Sequence, residues 1–318
     1  MADAVKITGV ICTHNRERFL ERCIESLCQQ TLDSGSYEIL VVDNGSTDKT
    51  RQICENYRGI KNFRYLYEPV LGLSTARNTG WQHARGNYVG YLDDDATAAP
   101  TWFEKALWCF ENIAPVPEWV GGPIDLEWEM PGPDWINEEL CVPLGKVDWG
   151  DEKRFLTRPW ERLGGGNSFY LLSILRKMGG FDSRLGRKKN LLLSGEETQF
   201  QHRLRAMNGR LYYHPGIRIF HFVPIERMAP RFFYRRYYWG GITDYIMSKT
   251  LQDVAYQAIT DPEKQEQGTA LSRLFKNLIR ATGLSGNQGA VIRSRIYLAY
   301  VYGWLVAKIK YSRTGGDA

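Results

Sequence analysis

Apolar runs alternate with stretches of helical period along the N-terminal part of the chain. Val5-Lys-Ile-Thr-Gly-Val-Ile-Cys-Thr13 is a mostly apolar run, the pattern of a strand buried in a parallel sheet. From Glu17 to Gln30, Phe19, Leu20, Cys23, Ile24 and Leu27 recur at helical spacing. Tyr37 to Asp43 predicts a second strand, and Asn44-Gly45-Ser46-Thr47-Asp48 a turn that caps a helix around Arg51 to Tyr57. Phe63 to Tyr67 is a third strand, and Ser74 to Arg85 a helix stopped by Gly86. Tyr88-Val-Gly-Tyr-Leu is a fourth strand ending in Asp93, Asp94 and Asp95, before a helix started by Pro100-Thr-Trp-Phe.

This alternation predicts an α/β fold, a mainly parallel twisted sheet with helices on both faces. Ligands of such sheets bind beyond the carboxyl ends of the strands. Thr13-His14-Asn15-Arg16, Asp43-Asn44 and Asp93 to Asp95 all fall there, so that edge is the expected site. Two unit charges about 4 Å apart repel by about 4 kcal/mol at an effective dielectric near 20. The acidic triplet therefore needs either a solvated, helix-capping turn or a divalent cation, since Mg2+ and Mn2+ prefer carboxylate oxygens.

Composition narrows the class. The 318 residues are 43% hydrophobic and 24% charged, enough for one large domain or two smaller ones without disulfide staples. Six cysteines carry no CxxC pair, which favours reduced, buried thiols and a cytoplasmic setting. Met1-Ala-Asp-Ala lacks the pattern of a signal peptide, and no uncharged apolar stretch approaches the roughly 20 residues that span a bilayer. A net charge of +5, with basic residues crowded late in the chain, suits an anionic substrate or membrane surface and gives no case for nucleic acid.

Later segments add candidates. Glu196 and Glu197 open a helix after Gly195, where the helix dipole alone would favour acids. His221 follows the strand-like Ile217 to Phe220 and is either a packed histidine or a ligand. Gly164-Gly165-Gly166-Asn167 is either a strained turn or a close approach to a sugar. Trp128, Trp135, Trp149 and Trp160 either stack on sugar rings or pack loops. Arg227, Arg231, Arg235 and Arg236 fall at helical spacing among aromatics, to grip a diphosphate or phospholipid-linked acceptor or to be solvated. Amphipathic stretches at Leu271 to Ala281 and Ala290 to Tyr311 pack on the domain or a second subunit, or lie on an anionic membrane.

Ile11-Cys-Thr-His-Asn-Arg, Ile39-Leu-Val-Val-Asp-Asn-Gly-Ser-Thr-Asp, Gly72-Leu-Ser-Thr-Ala-Arg-Asn-Thr-Gly80 and Tyr91-Leu-Asp-Asp-Asp resemble family 2 glycosyltransferases of the GT-A fold. The resemblance resumes at Gly164-Gly-Gly-Asn-Ser-Phe-Tyr, Gly179-Gly-Phe-Asp and Gly195-Glu-Glu-Thr. It runs from about Val5 to Pro224 in the family's order and spacing. Within the family it is strongest to bacterial enzymes of surface-polysaccharide synthesis, cyanobacterial hormogonium-polysaccharide glycosyltransferases among them.

The resemblance implies a GT-A catalytic domain over 1–225, with a nucleotide-binding half at 1–98 and an acceptor-binding half at 99–225, and a helical C-terminal region at 226–318. It implies an inverting, metal-dependent transfer from a nucleotide-diphosphate sugar to a saccharide or lipid-linked acceptor. Asp43 would accept from the donor's base, with Thr13, Asn15 and Arg16 lining the nucleotide pocket. Arg77 would hold the turn or the nucleotide. Asp93 would face the ribose, Asp95 would bind Mn2+ or Mg2+, and Asp94 would sit at the pattern's variable position. His221 would be a further metal ligand. Glu197 would be the general base, although the family usually has Asp there, and Glu196 would bind the acceptor or steady the loop. A sugar-nucleotide-binding protein without catalysis is one alternative. A nucleotidyltransferase is another, but Thr13-His-Asn-Arg is not the glycine-rich phosphate loop it needs. Oligomeric state and peripheral contact with the cytoplasmic face of a membrane stay open.

Overall fold

Seven mostly apolar residues, Ile7–Thr13, form β1, and Tyr37–Asp43 form β2, every residue of which is buried. Continuous burial of this kind requires a layer on each side. In β2, Tyr37, Ile39 and Val41 point to one face and pack with Leu20, Cys23, Ile24 and Leu27 of α1 (Glu17–Cys28). Leu40 and Val42 point to the other face and join Ala76 of α3 (Leu73–His83). The short α2 (Thr50–Glu55) leads to β3 (Phe63–Tyr67), and β4 (Tyr88–Asp93) ends in the triplet. Asp48 accepts from the Thr50 N–H at 3.0 Å, tying the turn to α2. Each fully buried large aliphatic side chain contributes about 1.5–3 kcal/mol to this sandwich.

The computed structural model describes residues 5–188, 191–251, 270–283 and 288–312. Further elements are β5 (Ala96–Ala98), α4 (Trp102–Asn112), β6 (Trp119–Gly121), β7 (Ile124–Trp128), α5 (Glu138–Cys141), β8 (Arg154–Phe155), β9 (Asn167–Leu171) and α6 (Leu172–Met178). They continue with α7 (Glu196–Ala206), β10 (Leu211–Tyr213), β11 (Ile219–Val223), α8 (Pro230–Thr250), α9 (Ala270–Ala281) and α10 (Gln288–Ser312). The main sheet has the order β3-β2-β1-β4-β9-β6-β10-β8, and β5-β11-β7 form a second sheet. Strands β3, β2, β1 and β4 run parallel, as does the β6–β10 pair. Strand β9 runs antiparallel to both of its neighbours, and β8 antiparallel to β10. Phe103 and Phe110 of α4 cover one face, while Leu175 and Met178 of α6 and Phe200 and Leu204 of α7 cover the other.

The chain divides into two units with interleaved segments. The first contains Met1–Glu127, Gly145–Ser183 and Glu196–Phe222, and the second Trp128–Leu144, Arg184–Gly195 and Val223–Ala318. Within the second unit α10 packs along α8. The Tyr300 hydroxyl donates to Asp244 at 2.8 Å, and Tyr245 meets Trp304 edge-on at 5.5 Å. A Cβ on Gly241 would collide with the Tyr300 carbonyl, and one on Gly303 with that of Tyr238, so these glycines set the helix spacing. The opposite side of α10 leaves Tyr302, Leu305 and Ile309 exposed. No described helix is long and apolar enough to cross a membrane.

Candidate functional site

Parallel register brings Thr13 opposite Asp43 and Cys12 opposite Asp93, which sets these strand ends along one edge. Asp43 is buried. Its Oδ1 accepts the Ser46 N–H at 2.9 Å and its Oδ2 the Tyr65 hydroxyl at 2.8 Å. Each carboxylate oxygen has a second lone pair to offer a ligand. Asn15 adopts a φ of 52°, and its side-chain oxygen accepts the Thr47 N–H at 2.7 Å while its own N–H donates to Ser46 at 2.9 Å. His14 Nδ1 lies 2.8 Å from the Asn44 carbonyl. The first two strand-end loops are thus tied together, with His14 serving the loop.

The triplet divides. Asp93 remains 42% exposed at its side chain, whereas Asp94 and Asp95 are buried. Arg16 reaches both buried acids, with Nε 3.6 Å from Asp94 Oδ1 and Nη2 3.3 Å from Asp95 Oδ2. Burial pushes the Asp94 carboxyl up to about 6, opposed by Arg16 and reinforced by Asp95. Strand β11 pairs antiparallel with β5 and places His221 opposite Ala96, while the Phe222 N–H donates to the Asp95 carbonyl at 2.9 Å. His221 Nε2 then lies 3.1 Å from Asp95 Oδ1. Ligand atoms of Asp93, Asp95 and His221 all fall within 4.8 Å of one another. Two carboxylate oxygens and an imidazole nitrogen at this spacing are a donor set that could hold a metal ion. The sequence reading placed Asp95 and His221 at the metal and Asp93 at the ribose; the fold gathers all three.

Arg77 is the other organising cation. Its Nη1 lies 2.6 Å from Glu196 Oε1 and its Nη2 3.7 Å from Asp93 Oδ1. The guanidinium carbon is 5.6 Å from the Tyr91 ring centroid and 5.7 Å from that of Phe181. Burial opposes the Arg77 charge, but Glu196, Glu197 and Asp93 more than compensate and raise its pKa. Burial, and then Glu197, push the Glu196 carboxyl up to about 8 against the pull of Arg77. One buried oxygen of Glu196 and one of Glu197 have no hydrogen-bond partner among the described residues. A Cβ on Gly165 would lie 3.0 Å from the Arg77 guanidinium and 3.1 Å from Glu197 Cγ, and one on Gly166 would collide with the Asp93 carboxylate. Two adjacent glycines therefore let Glu197, Arg77 and Asp93 crowd one loop.

Removing one partner of a buried ion pair leaves an uncompensated charge. Arg77→Met is accordingly expected to destabilise the protein by about 3–5 kcal/mol, read as a lowered urea midpoint. A change below about 1 kcal/mol, the range of an exposed pair, would show that Arg77 does not hold these acids.

Several partners at the site carry no signal in the local sequence. The strand pattern alone accounts for Tyr65 and Tyr91 in the sequence, yet the Tyr91 hydroxyl donates to the Arg77 carbonyl at 2.8 Å. Asn167 is a strut, its amide donating to the Pro123 and Ile217 carbonyls at 2.9 and 2.8 Å and accepting from Trp102 at 2.7 Å. Trp149 donates to the Arg162 carbonyl at 2.7 Å, and Trp135 packs edge-on against Phe233 at 5.1 Å. Alternation along β3 and β4 marks Tyr65 and Tyr91 as facing a layer; their bonding partners are fixed only by register and by helix α3.

Residues 8–116 match the model of a family described as Glycosyl transferase family 2. Over 319 aligned residues, 96% of this chain and 98% of the relative, the chain is 25% identical to the glucosyl-dolichyl phosphate glucuronosyltransferase of Haloferax volcanii. It is 37% identical to the uncharacterized glycosyltransferase EpsJ of Bacillus subtilis over 100 residues, 31% of this chain and 28% of that one. Among solved structures, it is similar to the mannosyltransferase PcManGT from Pyrobaculum calidifontis in complex with GDP-Man and Mn2+, with a TM-score of 0.62 at 16% identity, covering 98% of this chain and 88% of that one. It is also similar to S. aureus TarS 1-349 in complex with UDP, with a TM-score of 0.53 at 17% identity over 98% and 92% of the two chains.

Proposed function

We propose that this chain, which matches the Glycosyl transferase family 2 model over residues 8–116 and has the fold of GT-A glycosyltransferases, performs an inverting, metal-dependent transfer of a sugar from a nucleoside diphosphate to an acceptor hydroxyl. The observation that carries this reading is the loop Gly165-Gly166, which brings Glu197 beside Arg77 and Asp93, the latter within the Asp93, Asp95 and His221 cluster. The complexes of the two structural neighbours, with GDP-Man and Mn2+ and with UDP, support a nucleotide-sugar donor.

Thr13, Asn15, Arg16 and Asp43 line the nucleotide end, Asp43 offering its remaining lone pairs to the base. Asp93, Asp95 and His221 would hold a divalent cation, which supplies Lewis-acid charge where the leaving diphosphate becomes negative, typically several kcal/mol. Glu197 takes the proton of the acceptor hydroxyl as that oxygen attacks the anomeric carbon from the side opposite the diphosphate. The C–O bond to the diphosphate breaks with its electron pair, and the proton stays on the Glu197 carboxyl. Arg77 holds Glu196 and steadies the turn that presents Glu197. Asp94 pairs with Arg16 at the back of the site. The acceptor is a saccharide or a lipid-linked saccharide in glycan assembly; the Haloferax volcanii relative is, by its name, a glucosyl-dolichyl phosphate glucuronosyltransferase. Six cysteines without disulfides suit a reducing compartment, the cytoplasm.

A thermal-shift panel of nucleoside diphosphate sugars, each with and without Mn2+, tests the reading. A cognate donor at 100 times its Kd stabilises the folded state by about 2.7 kcal/mol. A rise in Tm with one donor class, dependent on Mn2+, is expected. No shift with any donor, or an equal shift after chelation, would contradict the proposal.

A further inference from the structure

In the second unit, Leu192, Glu226, Arg227, Arg231, Phe232 and Arg235 line a cavity of about 480 Å³, within the size range of small-ligand sites. Arg227 is buried in the turn Ile225–Met228, and Arg231 and Arg235 stand one turn apart on the first turns of α8. Three arginines and one glutamate thus line the same half-open cavity. Among the described residues neither Arg231 nor Arg235 forms an ion pair, so the lining keeps an excess of positive charge. Guanidinium forks match phosphate geometry, and a helix N-terminus adds positive potential. The rest of the lining is apolar, from Leu192 and Phe232. Leu191 and Ile225, next in the chain to lining residues, are exposed at 38% and 49%. A solvated arginine stripe needs neither the cavity nor this apolar border.

We propose that this cavity binds the phosphate of a lipid-linked acceptor, a phosphate ester carried on an apolar chain. The arginines hold the phosphate oxygens, and Phe232, Leu192 and the exposed Leu191 and Ile225 accommodate the first carbons of the chain. The proposal rests on the glycosyltransferase reading only in calling the bound molecule an acceptor.

Isothermal titration of the full chain with a short prenyl monophosphate, the matching prenyl alcohol and inorganic phosphate tests it, for wild type and for the double variant Arg231→Gln, Arg235→Gln. Both arginines are exposed, so the variant is expected to fold, as its circular dichroism and melting curve will show; Arg227, being buried, is left in place. Prenyl phosphate is expected to bind wild type at least about 10-fold more tightly than the alcohol or inorganic phosphate, and the double variant about 10-fold or more weakly, as for lost charged hydrogen bonds. Equal binding to both proteins, or an alcohol binding as well as the phosphate, would overturn the site. Inorganic phosphate binding as tightly as prenyl phosphate would overturn the lipid. A parallel titration with nucleoside diphosphate and Mn2+ should be unaffected by the double substitution; its loss would move these arginines to the donor. Failure of wild type to bind any nucleotide would sink the glycosyltransferase reading and leave the phosphate titration to stand or fall separately.

Discussion

Glu197→Gln is expected to lower the rate of sugar transfer by about 10²–10⁴-fold, the range typical of a general base. The substitution keeps the shape of the side chain and removes its capacity to take a proton. Glu197 lies in the first turn of α7 against Gly165, with one buried oxygen that accepts no hydrogen bond from the described residues. Nucleoside diphosphate release at saturating donor and acceptor should fall, with the donor KM little changed, because the lost interaction belongs to the transition state. Glu196→Gln should cost less, since Glu196 is engaged by Arg77 at 2.6 Å and acts through the turn. Equal rates for wild type and Glu197→Gln would remove Glu197 as the base; a larger loss at Glu196 would transfer the role there.

The second large effect is expected at Asp95. Asp95→Asn removes one charge from a cluster in which Asp93, Asp95 and His221 present ligand atoms within 4.8 Å of one another. If Lewis-acid stabilisation is worth about 4 kcal/mol, transfer should fall by about 10³-fold at about 1.4 kcal/mol per decade. The loss should be eased by raising the Mn2+ concentration, since weakened affinity is part of the defect. His221→Ala keeps both carboxylates and should lose less, with a higher Mn2+ requirement. Activity of Asp95→Asn equal to wild type at low Mn2+ would take Asp95 out of the site.

The N-terminal half of the fold was readable because burial on both faces forces continuous apolar strands, as in Tyr37 to Asp43, with helical spacing between them. Of the later strands, β11 showed only in part, as the strand-like Ile217 to Phe220. Strands β6 and β10 have three residues each and β8 two, too short for an alternation to register, so the antiparallel course of β9 beside β4 left no trace in the pattern. The strand-end acids were visible for the same reason as the strands. What stayed hidden depends on contacts distant in sequence. Arg77 and Glu196 are 119 positions apart, and only the fold, which sets the first turn of α7 within reach of Arg77 on α3, joins them. His221 reaches Asp95 through the β5–β11 register, which no local periodicity encodes. Asp93, expected at the ribose, joins Asp95 and His221 as a third ligand candidate, and Asp94 stands outside that cluster although Arg16 reaches both Asp94 and Asp95. Tyr65 on Asp43 likewise follows from strand pairing.

If Asp93, Asp95 and His221 form the cation site of the transfer reaction, Mn2+ binding depends on them. Titration calorimetry with Mn2+, in the presence of a nucleoside diphosphate, measures it most directly. Wild type is predicted to bind one Mn2+ per chain, and Asp95→Asn to lose that binding while remaining folded. Mn2+ binding of equal affinity and stoichiometry in the two proteins would remove Asp95 from the cation site.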